Sequence, residues 1–312
     1  MSGARNLYAI GVDIGGTTAR SALVSAAGRI RRGSIVKHPV DNKGSKERIL
    51  RDLTAPLDRN LEQARKEGLK VVGIGIGMCG PLDYENGISL IEGLDKYEAI
   101  YGVNLKKEFR KRLGLKKDFP VDFEVDAWSF ARGEAWRGAG AGYSRVVALT
   151  LGTGFGSAFL IDEVATDEGP GVPKPFGWLG GMPYQGGLLD DVISKRGLIA
   201  RYRSHAQDSK NYREDWDVKE IAEAARKGDA TARKTFREFG HLLGENIAPN
   251  LEEFGAECLV VGGRISGAIN LFERDLKKEL KSIKTLKRIA PAQSVDNSAL
   301  WGAARMAFLN RV

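Results

Sequence analysis

The chain has 312 residues, 42% of them hydrophobic, and 39 glycines, many of which cluster in three short loops. This composition predicts one large or two medium-sized folded domains and favours a ligand-binding α/β protein over low-complexity sequence. The formal net charge of +8 comes from basic residues mixed with acidic ones, as in residues 106–112 and 274–279. Such solvated helix faces argue against nucleic acid as a partner, whereas the net charge favours modest attraction of nucleotides or polyphosphate.

Cysteine usage and apolar runs bear on the cellular compartment. Cys79 and Cys258 lie far apart, each in an apolar run, and are expected to be buried free thiols in a reducing environment. Residues 1–5 contain no apolar signal core, and no run of 18 apolar residues occurs. We therefore expect a cytoplasmic protein with no membrane partner.

The first predicted element is a β-hairpin over residues 8–25, with two glycines and two threonines at its turn. Glycines let the main chain approach a ligand closely, and successive turn N–H groups form an anion-binding site. The residues expected to bind a phosphate group or its cation are Asp13, Gly15, Gly16, Thr17, Thr18 and Arg20. Asp13 is the candidate Mg²⁺ ligand, directly or through water, and a plain hairpin turn is the alternative interpretation.

The following segments alternate between predicted strands and helices. Residues 29–36 have the pattern of a third strand, and residues 45–67 have the periodicity of an amphipathic helix. A buried strand with alternating glycines covers residues 71–78 and leads into a sharp loop at residues 79–83. Parallel strands usually present ligand loops at their C-terminal ends, so we expect this loop to bind a ligand. Residues 105–113 predict a basic amphipathic helix.

A strand predicted over residues 121–125 ends at Asp126, and a helix follows over residues 127–136. Aspartate is strongly favoured as the residue that caps a helix N-terminus. A carboxylate that faces a ligand from this position also serves as a general base. The two interpretations of Asp126 are compatible, and both are kept.

A second hairpin, over residues 146–161, repeats the order of strand, glycine–threonine turn and strand. Its candidate phosphate-binding residues are Gly152, Thr153, Gly154 and Gly156. Two such hairpins in one chain predict a duplicated architecture in which each half holds one side of a polyphosphate group.

The remaining chain begins with an irregular, glycine- and proline-rich segment over residues 163–187, which predicts a functional or mobile loop. Helices are predicted at 190–200, 218–227, 230–250 and 298–309, with polar, exposed residues at 206–217. A strand over residues 257–261 runs into Gly262, Gly263 and Arg264. These residues either face an adenine ring or form an ordinary helix-entry turn.

Several segments together resemble one known family. Residues 13–17 and 151–156 look like the two phosphate loops of the actin, sugar kinase and Hsp70 superfamily, and residues 261–263 look like its adenosine loop. Within that superfamily the chain resembles the ROK family of repressors, open reading frames and sugar kinases. The segments that carry this closer resemblance are residues 75–81, 125–127, 133–135 and 190–194.

The resemblance implies an α/β fold of two actin-like, ribonuclease H-like domains flanking a ligand cleft. The first domain is expected at residues 1–125 with 298–312, and the second at 126–297. ATP and Mg²⁺ would lie between the phosphate loops, and Asp126 matches the family's catalytic aspartate, the base that deprotonates a sugar hydroxyl. A homodimer is also implied.

The sequence departs from the family where the sugar is bound. The family's asparagine before the aspartate is Val125 here, its sugar-binding glutamate falls at Trp178, and its zinc-binding histidine falls at Gly181. We therefore predict no zinc site and altered acceptor recognition. The residues expected to contact the acceptor are Gly80, Pro81, Glu92, Asp95, Val125, Trp178, Gln185 and Asp190. The alternative for Glu92, Asp95, Gln185 and Asp190 is that they are solvated loop residues.

These patterns predict ATP-dependent phosphorylation of a hydroxyl of a sugar or related polyol. Two alternatives remain open at this point. One is a non-catalytic sugar- or nucleotide-binding regulator of the same fold, and the other is a sugar kinase that uses polyphosphate as its donor.

Overall fold

The computed structural model describes residues 6–206 and 214–311. The described chain forms two compact units. The first unit runs to Gly138 and resumes at Asp296, and the second unit is Ala139–Val295. The boundary expected at residue 125 therefore lies too early, because the helix that starts at Asp126 packs within the first unit.

The first unit is built on a mixed five-stranded sheet. Its strands are β1 (Leu7–Ile14), β2 (Thr18–Ser25), β3 (Val36–Pro39), β4 (Lys70–Met78), β5 (Leu82–Asp83), β6 (Ile88–Ser89) and β7 (Val121–Val125). The sheet has the order β3-β2-β1-β4-β7, and β5 and β6 form a separate hairpin. Strands β1, β4 and β7 are parallel, whereas β1, β2 and β3 pair antiparallel.

Three of the first unit's helices alternate with these strands: α1 (Lys46–Lys66), α2 (Leu105–Arg112) and α3 (Asp126–Arg137). The Ser45 side chain caps α1 by accepting a hydrogen bond from the Arg48 N–H. The apolar face of α1 that the periodicity predicts, which includes Leu53 and Leu57, is buried in the core against the sheet.

The second unit repeats this plan. Its strands are β8 (Arg145–Leu151), β9 (Phe155–Ile161), β10 (Val164–Thr166), β11 (Pro183–Tyr184), β12 (Gly187–Leu188), β13 (Cys258–Gly262) and β14 (Arg288–Pro291). Five of them form a sheet in the order β10-β9-β8-β13-β14, with the same sequence of antiparallel and parallel pairings as in the first unit. The predicted duplication is therefore present in the fold.

The helices of the second unit are α4 (Leu189–Val192), α5 (Lys195–Ala206), α6 (Val218–Arg226), α7 (Ala230–Phe254) and α8 (Glu273–Leu280). Short 3-10 helices cover Leu179–Gly181 and Arg264–Leu271. The aromatic core includes Phe159 against Phe254 and Phe239 against Phe272. No helix in the described ranges is both long enough and apolar enough to cross a bilayer.

The last helix, α9 (Ser298–Leu309), returns to the first unit. It lies so close to the sheet that a Cβ on Gly11 would be 2.0 Å from the Leu300 carbonyl oxygen. A Cβ on Gly75 would be 1.8 Å from the Ala303 carbonyl oxygen. The alternating glycines of β4 therefore make room for this helix.

Three element predictions were wrong in detail. The third strand is Val36–Pro39 rather than residues 29–36, where Ile30 forms only an isolated bridge to Val24. The helix predicted at 190–200 is interrupted at Ile193–Ser194, which separates α4 from α5. Strand β14 was not predicted, because a single short strand at a sheet edge carries little periodicity. Most of the polar segment predicted at 206–217 falls outside the described residues.

Candidate active site

The turn between β1 and β2, residues 15–17, is here called the first glycine loop. Its carbonyl groups are all held by the protein. The Tyr97 hydroxyl donates to the Gly15 carbonyl at 2.6 Å, the Asn42 amide donates to the Gly16 carbonyl, and the Val40 N–H donates to the Thr17 carbonyl at 2.9 Å.

The N–H groups of the same loop are less engaged. Gly15 N–H donates to the Thr18 carbonyl at 2.9 Å, but no acceptor within the described chain is found for the N–H of Gly16 or Thr17. Because the carbonyls are tied back and these N–H groups are not, the loop presents donors suited to an anion.

The turn between β8 and β9, residues 152–154, is here called the second glycine loop, and its Gly152 and Gly154 carbonyls are held by the protein. The Gly152 N–H donates to the Gly154 carbonyl at 3.0 Å, and the Gly152 carbonyl accepts from the Lys195 N–H at 2.7 Å. No acceptor among the described residues is found for the N–H of Thr153 or Gly154. The sequence therefore located both loops, and the structure shows which donors each leaves open.

Asp13 and Asp126 leave the first unit's sheet at the same edge. The parallel strands β1, β4 and β7 pair Ile14 with Met78 and Met78 with Val125, so Asp13 and Asp126 lie at the same end of the sheet with β4 between their strands. Asp126 is the first residue of α3, and its carboxylate accepts a hydrogen bond of 2.8 Å from the Ala127 N–H. The N-cap residue is Val125, so the prediction that Asp126 itself caps the helix was wrong by one residue, and its second carboxylate oxygen is not used in this hydrogen bond.

The two carboxyl groups have raised pKa values. Burial, and then the charge of Asp126, raise the pKa of Asp13 to about 6, against the opposing charge of Arg20. Burial also raises the pKa of Asp126, and the Ala127 N–H and the charge of Lys96 oppose this rise. Carboxyl groups with raised pKa values beside a ligand loop are typical of acid–base sites.

Lys96 and Cys79 were not predicted as site residues. Cys79 directly follows β4, and Lys96 Nζ lies 3.4 Å from its Sγ. The positive charge of Lys96 lowers the pKa of Asp126. Burial, and then the charge of Asp126, raise the pKa of the Cys79 thiol. Nothing in the local sequence distinguishes Lys96 from the surrounding polar loop, so only the fold brings it to Asp126.

Other predicted residues of the first unit are placed as follows. Arg20 donates from its guanidinium to the Asp296 carbonyl, so this side chain is engaged within the protein. Asp95 is exposed and forms an ion pair with Lys43, and Glu92 is exposed. Gly80, Pro81 and Val125 lie in the segments that follow or end β4 and β7.

In the second unit, Trp178 and Asp190 contact the main chain of Phe155, the residue that follows the second glycine loop. The Trp178 Nε1–H donates to the Phe155 carbonyl at 2.8 Å, and the Phe155 N–H donates to Asp190 Oδ1. Gln185 is exposed at the turn between β11 and β12. Gly156 lies in β9, paired with Thr150.

A cavity of ≈ 450 Å³ adjoins the second glycine loop. Its walls come from this loop, α5, α6 and the 3-10 helix after β13. The lining residues used below are Thr153, Lys195, Asp217, Arg264 and Gly267. Lys195 forms a 2.5 Å ion pair with Asp217, and this hydrogen bond lowers the pKa of the Asp217 carboxyl.

Residues 262–264 lead from β13 into the 3-10 helix that lines this cavity. Gly263 has φ of 79°, and a Cβ there would lie 2.3 Å from the Leu151 carbonyl oxygen. Glycine is therefore required both by the backbone conformation and by the close approach to the second glycine loop. Arg264 begins the 3-10 helix and lines the cavity.

From the sequence we predicted that this protein has no zinc site. In residues 6–206 and 214–311, no group of three or more His, Cys, Asp or Glu side chains is arranged to hold a metal ion. A single carboxylate such as Asp13 still fits Mg²⁺, which keeps several waters and binds proteins through one or two carboxylates.

Comparison with known proteins gives the family. The profile of the ROK family matches residues 9–309. The chain belongs to the ROK family. The predicted family is confirmed by this match, and the two α/β units of this ROK protein confirm the predicted fold class.

The relatives of this ROK protein include enzymes and regulators. A glucokinase from Thermotoga maritima is 30% identical, with 96% of each chain covered. A putative xylose repressor from Caldicellulosiruptor sp. is 25% identical over 86% of this chain and 69% of the repressor. The crystal structure of a ROK family glucokinase from Streptomyces griseus in complex with glucose and AMPPNP has a TM-score of 0.74 at 26% identity, covering 97% of this chain and 99% of that one.

Proposed function

We propose that this protein is a carbohydrate kinase that transfers the γ-phosphoryl group of ATP to a hydroxyl of a sugar or related polyol. The phosphotransferase class is supported by the named kinases among its relatives. The observation that carries the reaction itself is the position of Asp126, which lies at the same end of the sheet as Asp13 and the first glycine loop and whose charge raises the pKa of Asp13.

Asp126 acts as the general base in this proposal. It takes the proton from the acceptor hydroxyl, the acceptor oxygen forms a bond to the γ-phosphorus, and the bond from that phosphorus to ADP breaks. Asp126 is suited to this role because its pKa lies above the ordinary range for aspartate while Lys96 still favours the ionised form. Catalysis then depends on positioning and charge stabilisation.

We assign ATP as the phosphoryl donor on the basis of features of the second unit. The open N–H groups of Thr153 and Gly154 suit phosphate oxygens, and the adjoining cavity of ≈ 450 Å³ is in the range that accommodates a small ligand such as a nucleoside. Polyphosphate has no nucleoside to fill this cavity. Asp13 would hold Mg²⁺, which neutralises charge on the phosphates when bound.

Glucose is the first acceptor to test, because two of the named relatives are glucokinases. The expectation of altered sugar recognition, based on Val125 and Trp178, requires a panel that also contains other hexoses, amino sugars and polyols. We propose Gly80, Pro81, Glu92 and Val125 as the acceptor contacts to test first in the first unit.

The experiment is a coupled assay of ADP formation with ATP and Mg²⁺ over this panel, with polyphosphate as the alternative donor. Asp126→Asn is expected to lower kcat by about 10²–10⁴, while ADP binding by titration calorimetry stays within about twofold. Asp122→Asn, which alters the carboxylate partner of Arg311 instead, is the matched control. Unchanged turnover by Asp126→Asn would refute the base assignment.

A regulator that binds nucleotide or sugar without phosphoryl transfer is the outcome favoured if ADP binds and no member of the panel is phosphorylated. The homodimer and the cytoplasmic location remain predictions, testable by light scattering and by cell fractionation.

A further inference from the structure

Phe155, which directly follows the second glycine loop, is held by two side chains from the following segment. The Phe155 carbonyl accepts from Trp178 Nε1 at 2.8 Å, and the Phe155 N–H donates to Asp190 Oδ1. The Phe155 side chain itself is buried in the core, 1% exposed. Both polar groups of this peptide residue are thus bound, and its ring is anchored.

The indole has only one hydrogen-bond donor, and the loop uses it. Trp178 therefore has no polar atom left with which to recognise an acceptor hydroxyl. Its side chain is 37% exposed, so what remains accessible is ring surface. The sequence-based expectation that Trp178 contacts the acceptor is therefore limited to stacking on this ring surface.

Glycines make this arrangement possible. A Cβ on Gly180 would lie 2.5 Å from Trp178 Nε1 and 2.3 Å from the Phe155 carbonyl oxygen. A Cβ on Gly181 would lie 2.5 Å from Cε3 of the indole. A larger residue at either position would displace the ring from its hydrogen bond. Gly181, at the position of the family's histidine, therefore leaves the space that the indole ring of Trp178 occupies.

Asp190 is fixed in turn by Arg196, which donates to its Oδ2 at 2.5 Å and to Asp191 at 2.7 Å. Gly154 lies against the same carboxylate, since a Cβ there would be 2.9 Å from Asp190 Oδ1. Arg196 thus holds the Asp190 carboxylate, which in turn holds the Phe155 N–H. The N–H groups of Thr153 and Gly154 stay open between Gly152, which Lys195 holds, and Phe155.

We propose that Trp178 and Asp190 are positioning residues for the phosphoryl donor, which act by fixing Phe155 and thereby the open N–H groups of the second glycine loop. This rests on the proposed function in assigning the loop to the donor phosphates. It differs from the sequence-based expectation that both residues contact the acceptor. Loosening Phe155 weakens nucleotide binding and leaves acceptor affinity nearly unchanged.

The test uses the full-length protein with ADP and Mg²⁺ as the binding probe, and ATP with the best acceptor for kinetics. Trp178→Phe removes the single donor and keeps an aromatic ring, and Asp190→Ala removes the acceptor of the Phe155 N–H. Each is expected to raise the Kd for ADP and the KM for ATP by about three- to tenfold. The KM for the acceptor is expected to change by less than about twofold.

Three further variants sharpen the result. Asp190→Asn keeps an oxygen that accepts from the Phe155 N–H, so it is expected to retain most of the ADP affinity that Asp190→Ala loses. The double variant Trp178→Phe/Asp190→Ala is expected to lose less affinity than the product of the single losses, because both act through Phe155. Leu188→Ala, at an exposed side chain of the same segment, is the control with unchanged constants.

The proposal is overturned if Trp178→Phe and Asp190→Ala raise the acceptor KM while ADP affinity stays at the wild-type value. Circular dichroism and melting temperature establish folding of each variant, and Asp190→Ala with its Asn counterpart decides the matter if Trp178→Phe does not fold. ADP binding does not require turnover. A wild-type protein that binds ADP but phosphorylates no sugar would therefore refute the proposed function and leave this test intact.

Discussion

The backbone carbonyl oxygen of Ser298 lies 1.8 Å from the position that a Cβ atom would take on Gly133. Gly302 meets α3 in the same way, since its Cβ would be 1.7 Å from the Ser129 carbonyl oxygen. The Ser298 hydroxyl also donates to Glu134. Helices α3 and α9 therefore touch backbone to backbone, and α3 begins with the proposed base, Asp126.

Gly302→Ala is expected to destabilise the protein by about 2–3 kcal/mol, because a methyl group at this position meets backbone that cannot move aside. Gly133→Ala is expected to have a similar effect. Thermal and denaturant unfolding measure the change. Gly267→Ala, where the added atom meets open space, is the matched control and should stay within about 0.5 kcal/mol of wild type. Equal stabilities of Gly302→Ala and Gly267→Ala would contradict the packing described.

Lys96→Met is expected to move the acidic limb of the kcat/KM profile to higher pH. The charge of Lys96 lowers the pKa of Asp126, so its removal raises that pKa and leaves less of the base ionised at a given pH. Lys107→Met, at an exposed lysine on α2, is the control and should leave the limb in place. A limb that stays fixed, or moves to lower pH, in Lys96→Met would rule out this electrostatic coupling.

Asp13→Asn is expected to stabilise the metal-free protein by about 1–2 kcal/mol at pH 7, after allowance for partial exposure. The pKa of Asp13 is raised to about 6 in the folded protein, above the ordinary value of 3.8. The contribution of Asp13 to wild-type stability is therefore most favourable below pH 3.8 and is lost as the pH rises through about 6. The advantage of the variant should vanish at the acidic end of this range.

Denaturant unfolding in the presence of a chelator, from pH 3.5 to 8, checks this pH dependence. Asp118→Asn, at an exposed aspartate of the same unit, is the control and should be neutral throughout. A pH-independent effect of Asp13→Asn would show that burial and Asp126 do not raise the pKa of this carboxyl as described.

Gly267→Trp is expected to raise the Kd for ADP by more than about tenfold, since an indole there occupies the cavity beside the second glycine loop. A Cβ on Gly267 meets no atom within 4 Å outside its chain neighbours and its own helix, and the melting temperature of the variant checks that it folds. Titration calorimetry compares it with Gly267→Ala, whose small side chain leaves most of the cavity open. Unchanged ADP affinity of Gly267→Trp would place the nucleoside elsewhere.

The sequence predicted the two hairpins, the long helices and the order of the main site segments because these depend on local patterns. Hydrophobic periodicity defined α1, and glycine–threonine turns marked both loops. The short edge strand β14 and the break before α5 were missed, since pairing with β13 and contacts of the second glycine loop determine them.

Sequence by itself determined the family, the duplicated plan and the candidate base, because residue type and order carry that information. Tertiary structure alone decided which polar groups are already engaged. Trp178 and Asp190 looked like acceptor contacts in the sequence, but folding brings both to the main chain of Phe155. Lys96 looked like an ordinary loop residue, but its Nζ lies 3.4 Å from Cys79 Sγ and its charge lowers the pKa of Asp126. A hydrogen bond between residues distant in sequence depends on three-dimensional proximity, which no local pattern records.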